Sequence, residues 1–232
     1  MTKAIIFDCD GTLVDSEYAH FLSWRSALQR HGGDLVLEEY ISSYAGNPYE
    51  KNAKLLADKI GKKNVVSQII ADKIIDFDEL LKDGFPPIEA TVDFVHRVAW
   101  EKKRMNLKIA VASAARRKDI FSHLNHLGIA HHFDEIISGE DDLYHYKDPE
   151  GVNKPKPYIY LQAAKQLDVE PGHCIAIEDS NPGVTAAAVA GCYTIAIPNS
   201  YTQGQDFSLA DKVLQTLTGI TIEEFFTSFR KS

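Results

Sequence analysis

The sequence predicts an α/β fold: a parallel sheet covered by helices on both faces and interrupted by one helical insert. Three observations lead there. Short, wholly apolar, β-branched runs recur along the chain. From residue 107 onward they alternate with stretches of helical periodicity. One long segment near the start shows helical periodicity only.

The first apolar run, residues 4–7, is stopped at Asp8 by an acidic, glycine-containing turn, which predicts a strand buried on both faces with a loop at its carboxyl end. Residues 107–112 repeat the pattern and end at Ser113. Residues 174–177 repeat it again and end at Glu178 and Asp179. Residues 193–197 stop at Pro198, and a shorter run, 135–137, ends near Gly139. Between them, Ile120, Leu124 and Leu127 recur at helical spacing with Gly128 as a stop. Residues 158–167 follow Pro157, which suits a first helical turn, and the alanine-rich stretch 183–190 ends at Gly191. In sheets of this kind the ligand site lies outside the carboxyl ends of the strands.

The insert spans residues 16–87, leaving a core of 1–15 and 88–232. Phe21, Trp24 and Leu28 form one helical stripe, Leu55, Leu56 and Ile60 a second, and residues 69–81 a third; Phe85, Pro86 and Pro87 mark the boundary.

With 232 residues and 44% hydrophobic content, the chain has material for one core and a small second unit. The net charge of -8 argues against a general nucleic-acid binder and against adhesion to anionic membranes. Cys9, Cys174 and Cys192 are few and far apart, and read as reduced, buried thiols. The apolar run before Asp8 is too short for a signal peptide or a membrane span. A cytoplasmic monomer with no nucleic-acid or membrane partner is expected.

Asp8-Cys9-Asp10-Gly11-Thr12 carries the strongest chemical signal. Two carboxylates two residues apart on extended backbone point the same way, and Gly11 permits a sharp turn. One carboxylate can attack phosphorus while the other protonates a leaving alkoxide and later activates water. Glu178-Asp179-Ser180 is the second cluster. Adjacent acids at a sheet mouth repel one another, and hard oxygen donors suit magnesium; equally, Asp179 or Ser180 can cap the helix after Pro182. Ser113 can donate to a phosphoryl oxygen, as can the N–H groups that follow it, or it can simply cap. Lys154 can reach the site as a point charge for phosphate, with solvation in a loop as the competing reading. Lys156 and Lys147 are its alternatives.

Taken together these segments resemble the haloacid-dehalogenase superfamily, and within it the capped phosphatases of the beta-phosphoglucomutase and phosphoglycolate phosphatase-like branch. The resemblance runs from Ala4 to about Leu217. It implies a Rossmann-like parallel sheet core with Asp8 as nucleophile and Asp10 as general acid and base. It implies Mg2+ held by Asp8, the backbone carbonyl of Asp10 and Asp179, with Glu178 in support. Ser113 and Lys154 would clamp the phosphoryl group, and Gly11, Thr12, His20, Ala114 and Arg116 would bind substrate. The insert would be a cap that closes over substrate. Asp15, Ser16, Glu17 and His20 match the entry into that cap.

The expected function is therefore magnesium-dependent hydrolysis of a small phosphomonoester, such as a sugar phosphate, through a phosphoryl-aspartate. Dehalogenases of the superfamily lack the second aspartate, and Asp10 is present. A phosphosugar mutase is the first alternative: His20, Phe21, Trp24 and Gly46 match that branch. Its cap loop, however, carries basic residues, and residues 44–49 here have none. Arg116, Arg117, Lys51 or Lys54 would have to substitute. A non-catalytic phosphate-binding regulator is the second alternative. The long acidic segment 140–153 is read as a flap or a solvated loop, and His131-His132 as surface or turn residues rather than a metal site, because adjacent histidines point apart and no third ligand is apparent.

Overall fold

The computed structural model describes residues 4–228. The outermost residues of the expected core segments, 1–3 and 229–232, lie outside the described residues. Six strands, β1 (Ala4–Phe7), β2 (Lys108–Ser113), β3 (Glu135–Ser138), β4 (Cys174–Glu178), β5 (Tyr193–Ala196) and β6 (Lys212–Val213), form one sheet in the order β3-β2-β1-β4-β5-β6. All pairings are parallel. Every residue of β1 and β4 is buried, as the unbroken apolar runs require once crossover helices cover both faces. The fold is the parallel α/β arrangement that the strand and helix alternation predicts, and it is Rossmann-like, as the resemblance implies.

The crossovers are α5 (Glu89–Met105), α6 (Arg117–His126), α7 (Tyr158–Gln166) and α8 (Asn181–Ala190), and α9 (Ile222–Ser228) closes the described chain. Helix α5 buries Val92, Phe94, Val95 and Val98 and stops at left-handed Asn106, with Lys102, Lys103 and Arg104 complementing the dipole in its last turn. In α8, Pro182 occupies the first turn, Ser180 caps, and Gly191 (φ 90°) ends the helix in the left-handed conformation that glycine adopts freely.

The chain divides into two compact units: Met1–Asp15 with Pro86–Ser232, and Ser16–Phe85. The second is all helical, built from α1 (Glu17–Arg30), α2 (Leu37–Ser43), α3 (Tyr49–Lys59) and α4 (Val66–Leu81). Its core holds Phe21, Trp24, Leu28, Tyr40, Leu56, Ile69 and Phe77. Inside it the Tyr40 hydroxyl donates to Glu17 at 2.7 Å. Lys73 is also fully buried there, its ammonium 3.9 Å from the centre of the Tyr49 ring and 4.0 Å from that of Phe77.

Among the described residues no helix is long and apolar enough to cross a membrane. Cys9, Cys174 and Cys192 are buried free thiols.

Candidate active site

Strand β1 lies at the point where the sheet order reverses. From β1 the chain builds β2 and β3 on one side, then returns to place β4, β5 and β6 on the other. The crevice at the carboxyl ends of β1 and β4 is where such sheets bind ligands. Phe7 pairs with Ile177, and the Asp8 N–H donates to the Ile177 carbonyl at 2.9 Å, so Asp8 emerges level with the end of β4.

There Asp8, Glu178 and Asp179 converge. One carboxylate oxygen from each lies within 4.8 Å of the others, and all three residues are buried. Lys154, in the loop before α7, reaches into this cluster. Its ammonium donates to Asp8 Oδ1 at 2.5 Å, to Glu178 Oε1 at 2.7 Å and to the Ala112 carbonyl at 3.0 Å. Burial pushes the Asp8 carboxyl up to about 8. Lys154 opposes that rise, and the Glu178 and Asp10 carboxylates add to it. Burial would pull the Lys154 ammonium down, but Asp8 and Glu178 outweigh it and hold it above its usual range.

Three buried carboxylates against one ammonium leave the cluster short of positive charge. Glu178 Oε2, buried and with no hydrogen-bond partner among the described residues, marks the same deficit. A set of oxygen donors around such a gap fits a hard divalent cation, and Mg2+ in particular.

Two glycines allow this crowding. A Cβ at Gly183 would lie 2.0 Å from Glu178 Oε2, and one at Gly11 (φ 79°) would lie 2.3 Å from Asp179 Oδ2. The competing roles at the end of β4 are divided between neighbours. Ser180 takes the cap, accepting from the Gly183 N–H at 3.4 Å, while Asp179 Oδ2 accepts from the Asn199 amide at 2.8 Å.

Asp10 stands at the mouth, its side chain 19% exposed. The Ser113 hydroxyl, at the end of β2, donates to Asp10 Oδ2 at 3.3 Å and accepts from the Ala115 N–H at 3.1 Å. The next carbonyl, that of Ala114, accepts from the Asn153 side chain at 3.2 Å. Thr12 is buried in the turn after Asp10. Arg116, expected to bind substrate, has its guanidinium on the Asp119 carboxylate at 2.6 Å. His20 belongs to the helical unit, where it stacks on Phe77 at 4.3 Å and places Nδ1 3.1 Å from Lys73 Nζ.

The structure thus gathers Asp8, Asp10, Gly11, Ser113, Lys154, Glu178 and Asp179 at one place in the sheet unit. Of the lysines weighed for the site, Lys156 pairs with Glu150 and Asp148, and Lys147 donates to the Tyr144 carbonyl. Segment 140–153 is tied down at both ends beside β2 and β3: Asp141 accepts from the Arg117 N–H at 2.7 Å and from Ser138, and Asn153 holds Ala114.

Four residues escaped the sequence reading. Tyr160 donates its hydroxyl to Glu178 Oε1, and burial raises its phenol well above the usual range. Its position among apolar residues of a helix marks it only as core. Asn199 follows β5 and carries no charge or hydroxyl to mark it in the sequence. His123 is buried, with Nε2 3.7 Å from Asp10 Oδ1. Lys73 sits in a helix of mixed polarity and looks like a surface residue in sequence.

A carboxylate cluster at the switch point of a parallel sheet, with a lysine on one carboxylate and a hydroxyl on its neighbour, suits nucleophilic catalysis by a carboxylate. The haloacid dehalogenase-like hydrolase family matches residues 2–191, and the chain belongs to that family. It is 32% identical over 224 residues to the putative phosphatase YhcW of Bacillus subtilis, covering 94% of this chain and 93% of that protein. It is 28% identical over 188 residues to the fructose-1-phosphate phosphatase YqaB of Escherichia coli, covering 81% and 92%. Among solved structures, a beta-phosphoglucomutase from Clostridium difficile superposes with a TM-score of 0.78 at 26% identity, covering 99% of this chain and 97% of that one.

Proposed function

We propose that the protein hydrolyses a small phosphomonoester, a sugar phosphate, in a Mg2+-dependent reaction through a phosphoryl-aspartate at Asp8. The observation that carries this reading is the pairing of Lys154 with Asp8, beside Asp10 and Ser113. A carboxylate, a cation, a proton carrier and a hydroxyl donor then stand around one point. In the first step an Asp8 oxygen bonds to phosphorus, the bond from phosphorus to the ester oxygen breaks, and Asp10 gives its proton to the leaving alkoxide. In the second step Asp10 takes a proton from water, the water oxygen attacks phosphorus, and the acyl phosphate opens to free Asp8 and inorganic phosphate. Lys154 and Ser113 hold the phosphoryl oxygens through both steps, while the Gly11 and Thr12 N–H groups donate within their own turn, to the Val14 and Cys9 carbonyls. Asp8, Glu178, Asp179 and the Asp10 carbonyl would hold the Mg2+, which supplies neutralisation of charge between the phosphoryl group and Asp8.

The helical unit, Ser16–Phe85, is assigned as the cap expected over 16–87, closing over substrate with His20 among the residues that meet it. The sugar phosphate assignment draws on the similarity to the fructose-1-phosphate phosphatase. The buried thiols suit a reducing compartment, and we infer a cytoplasmic protein that works as a monomer.

A second reading, transfer of a phosphate within a sugar, is favoured by the similarity to beta-phosphoglucomutase. Phosphate release from a panel of sugar phosphates, with and without Mg2+, separates the two. Hydrolysis predicts Mg2+-dependent release that disappears in Asp8→Asn. Conversion without release, dependent on a sugar bisphosphate, would replace the first reading by the second.

A further inference from the structure

We propose that Asn199 is a positioning residue that fixes the orientation of Asp179 and thereby sets the metal affinity of the site, an inference that rests on the metal reading above. Asn199 stands in the turn after β5, and its side chain makes contacts on both of its ends. Oδ1 accepts from the Tyr201 N–H at 2.8 Å and from the Thr202 hydroxyl at 3.3 Å. The same hydroxyl accepts from the Asn199 N–H at 3.1 Å, and Thr202 is wholly buried. Two donors on Oδ1 decide which way the amide faces, because an amide nitrogen cannot accept them. The NH2 group is therefore turned to the site. There it donates to Asp179 Oδ2 at 2.8 Å and to the Gly11 carbonyl at 3.3 Å.

Those two acceptors belong to different walls of the crevice. Asp179 directly follows β4, and Gly11 lies in the turn that follows Asp8 and Asp10. One amide links the two acidic loops and engages one oxygen of the Asp179 carboxylate, so the carboxyl cannot rotate without losing that bond. The neutral donor also suits the task. It lowers the cost of holding Asp179 ionised beside Asp8 and Glu178 without adding a charge that would compete with the cation. Partners of this kind behind metal ligands govern affinity, and their loss weakens binding by about 10–100-fold.

The test is Mn2+ uptake by the full chain without substrate, followed through the electron paramagnetic resonance of free Mn2+. Asn199→Ala is expected to weaken Mn2+ binding by about 10-fold or more. Thr202→Val, which keeps the amide and removes the hydroxyl that orients it, is expected to weaken binding by a smaller factor. In turnover, both variants are expected to raise the Mg2+ concentration for half activation, while kcat at saturating Mg2+ approaches that of the wild type. A wild type that takes up Mn2+, with both variants matching its affinity, overturns the role of Asn199 and leaves the metal site standing. Failure of the wild type itself to take up Mn2+ overturns the metal reading and this inference with it. Should Asn199→Ala not fold, wild-type affinity in Thr202→Val overturns the proposal.

Discussion

The ammonium of Lys154 sits 2.5 Å from the Oδ1 of Asp8, although 146 positions separate the two in the chain. Both side chains are only 8% exposed, and Glu178, with no exposure, holds the same ammonium. Substituting Lys154→Met removes the one charge among the described residues that is seen to pair with both carboxylates. Breaking a buried pair from one side costs about 3–5 kcal/mol. The melting temperature of the metal-free variant should fall sharply, and Mg2+ should restore more stability to it than to the wild type. Thermal melts with and without Mg2+ check this; an equal deficit in both conditions would contradict it.

Tyr160→Phe keeps the buried ring and removes the hydroxyl that donates to Glu178 Oε1. With Oε2 of the same carboxylate already without a partner, the variant leaves Glu178 dependent on Lys154 alone for a hydrogen bond. The expected loss is about 1–3 kcal/mol in urea unfolding, because a buried charged acceptor loses a donor. A change within error would show that Glu178 is satisfied by other means.

Gly183→Ala should disable the site more than the fold. The new Cβ would lie 2.0–2.2 Å from the carboxylate atoms of Glu178, so the acid must swing out of the cluster. Weakened Mn2+ uptake is expected, beside a Gly172→Ala control in which the added Cβ meets nothing within 4 Å. Uptake equal in the two variants would remove Glu178 from the metal site.

A pH effect is expected far from the site, at His132. Burial lowers the affinity of this imidazole for a proton, and the neighbouring His131, His96 and Lys102 lower it further. Its Nε2 lies 2.9 Å from His96 Nδ1, a partner on α5 that the sequence reading did not anticipate. In the unfolded chain the ring takes its proton at the ordinary value of 6.5. The folded state resists protonation, so this contribution to stability is present above that pH and is lost as the pH falls toward the folded value. Wild type minus His132→Asn, measured by urea unfolding from about pH 7 down to about pH 5, should show the difference shrinking with acid. A difference independent of pH would assign the residue a packing role only.

Much of this architecture is legible in the sequence because chemistry follows immediately on wholly apolar runs. Asp8 ends one run, Ser113 another, and Glu178 with Asp179 a third, and parallel topology carries all three to one edge of the sheet. What stays hidden has identifiable causes. Helix α2 has seven residues with only Tyr40 buried, too short to show a period, and β6 is two exposed residues. The choice between cap and site at Asp179 needs coordinates, since Ser180 is equally able to cap and in fact does so. Asn199 and His132 find their partners through folding, 20 and 36 positions away. Lys73 is covered by aromatic rings contributed by α1, α3 and α4, which no local pattern brings together.

The central claim is that Asp8 carries the phosphoryl group. Acid-quenched samples of enzyme, Mg2+ and a sugar phosphate substrate, analysed by intact and peptide mass spectrometry, test it most directly. The account predicts the mass of one phosphoryl group on the wild type, mapped to the peptide containing Asp8, and none on Asp8→Asn, which also releases no phosphate. Turnover by Asp8→Asn, or a phosphoryl group mapped to any other residue, would contradict it.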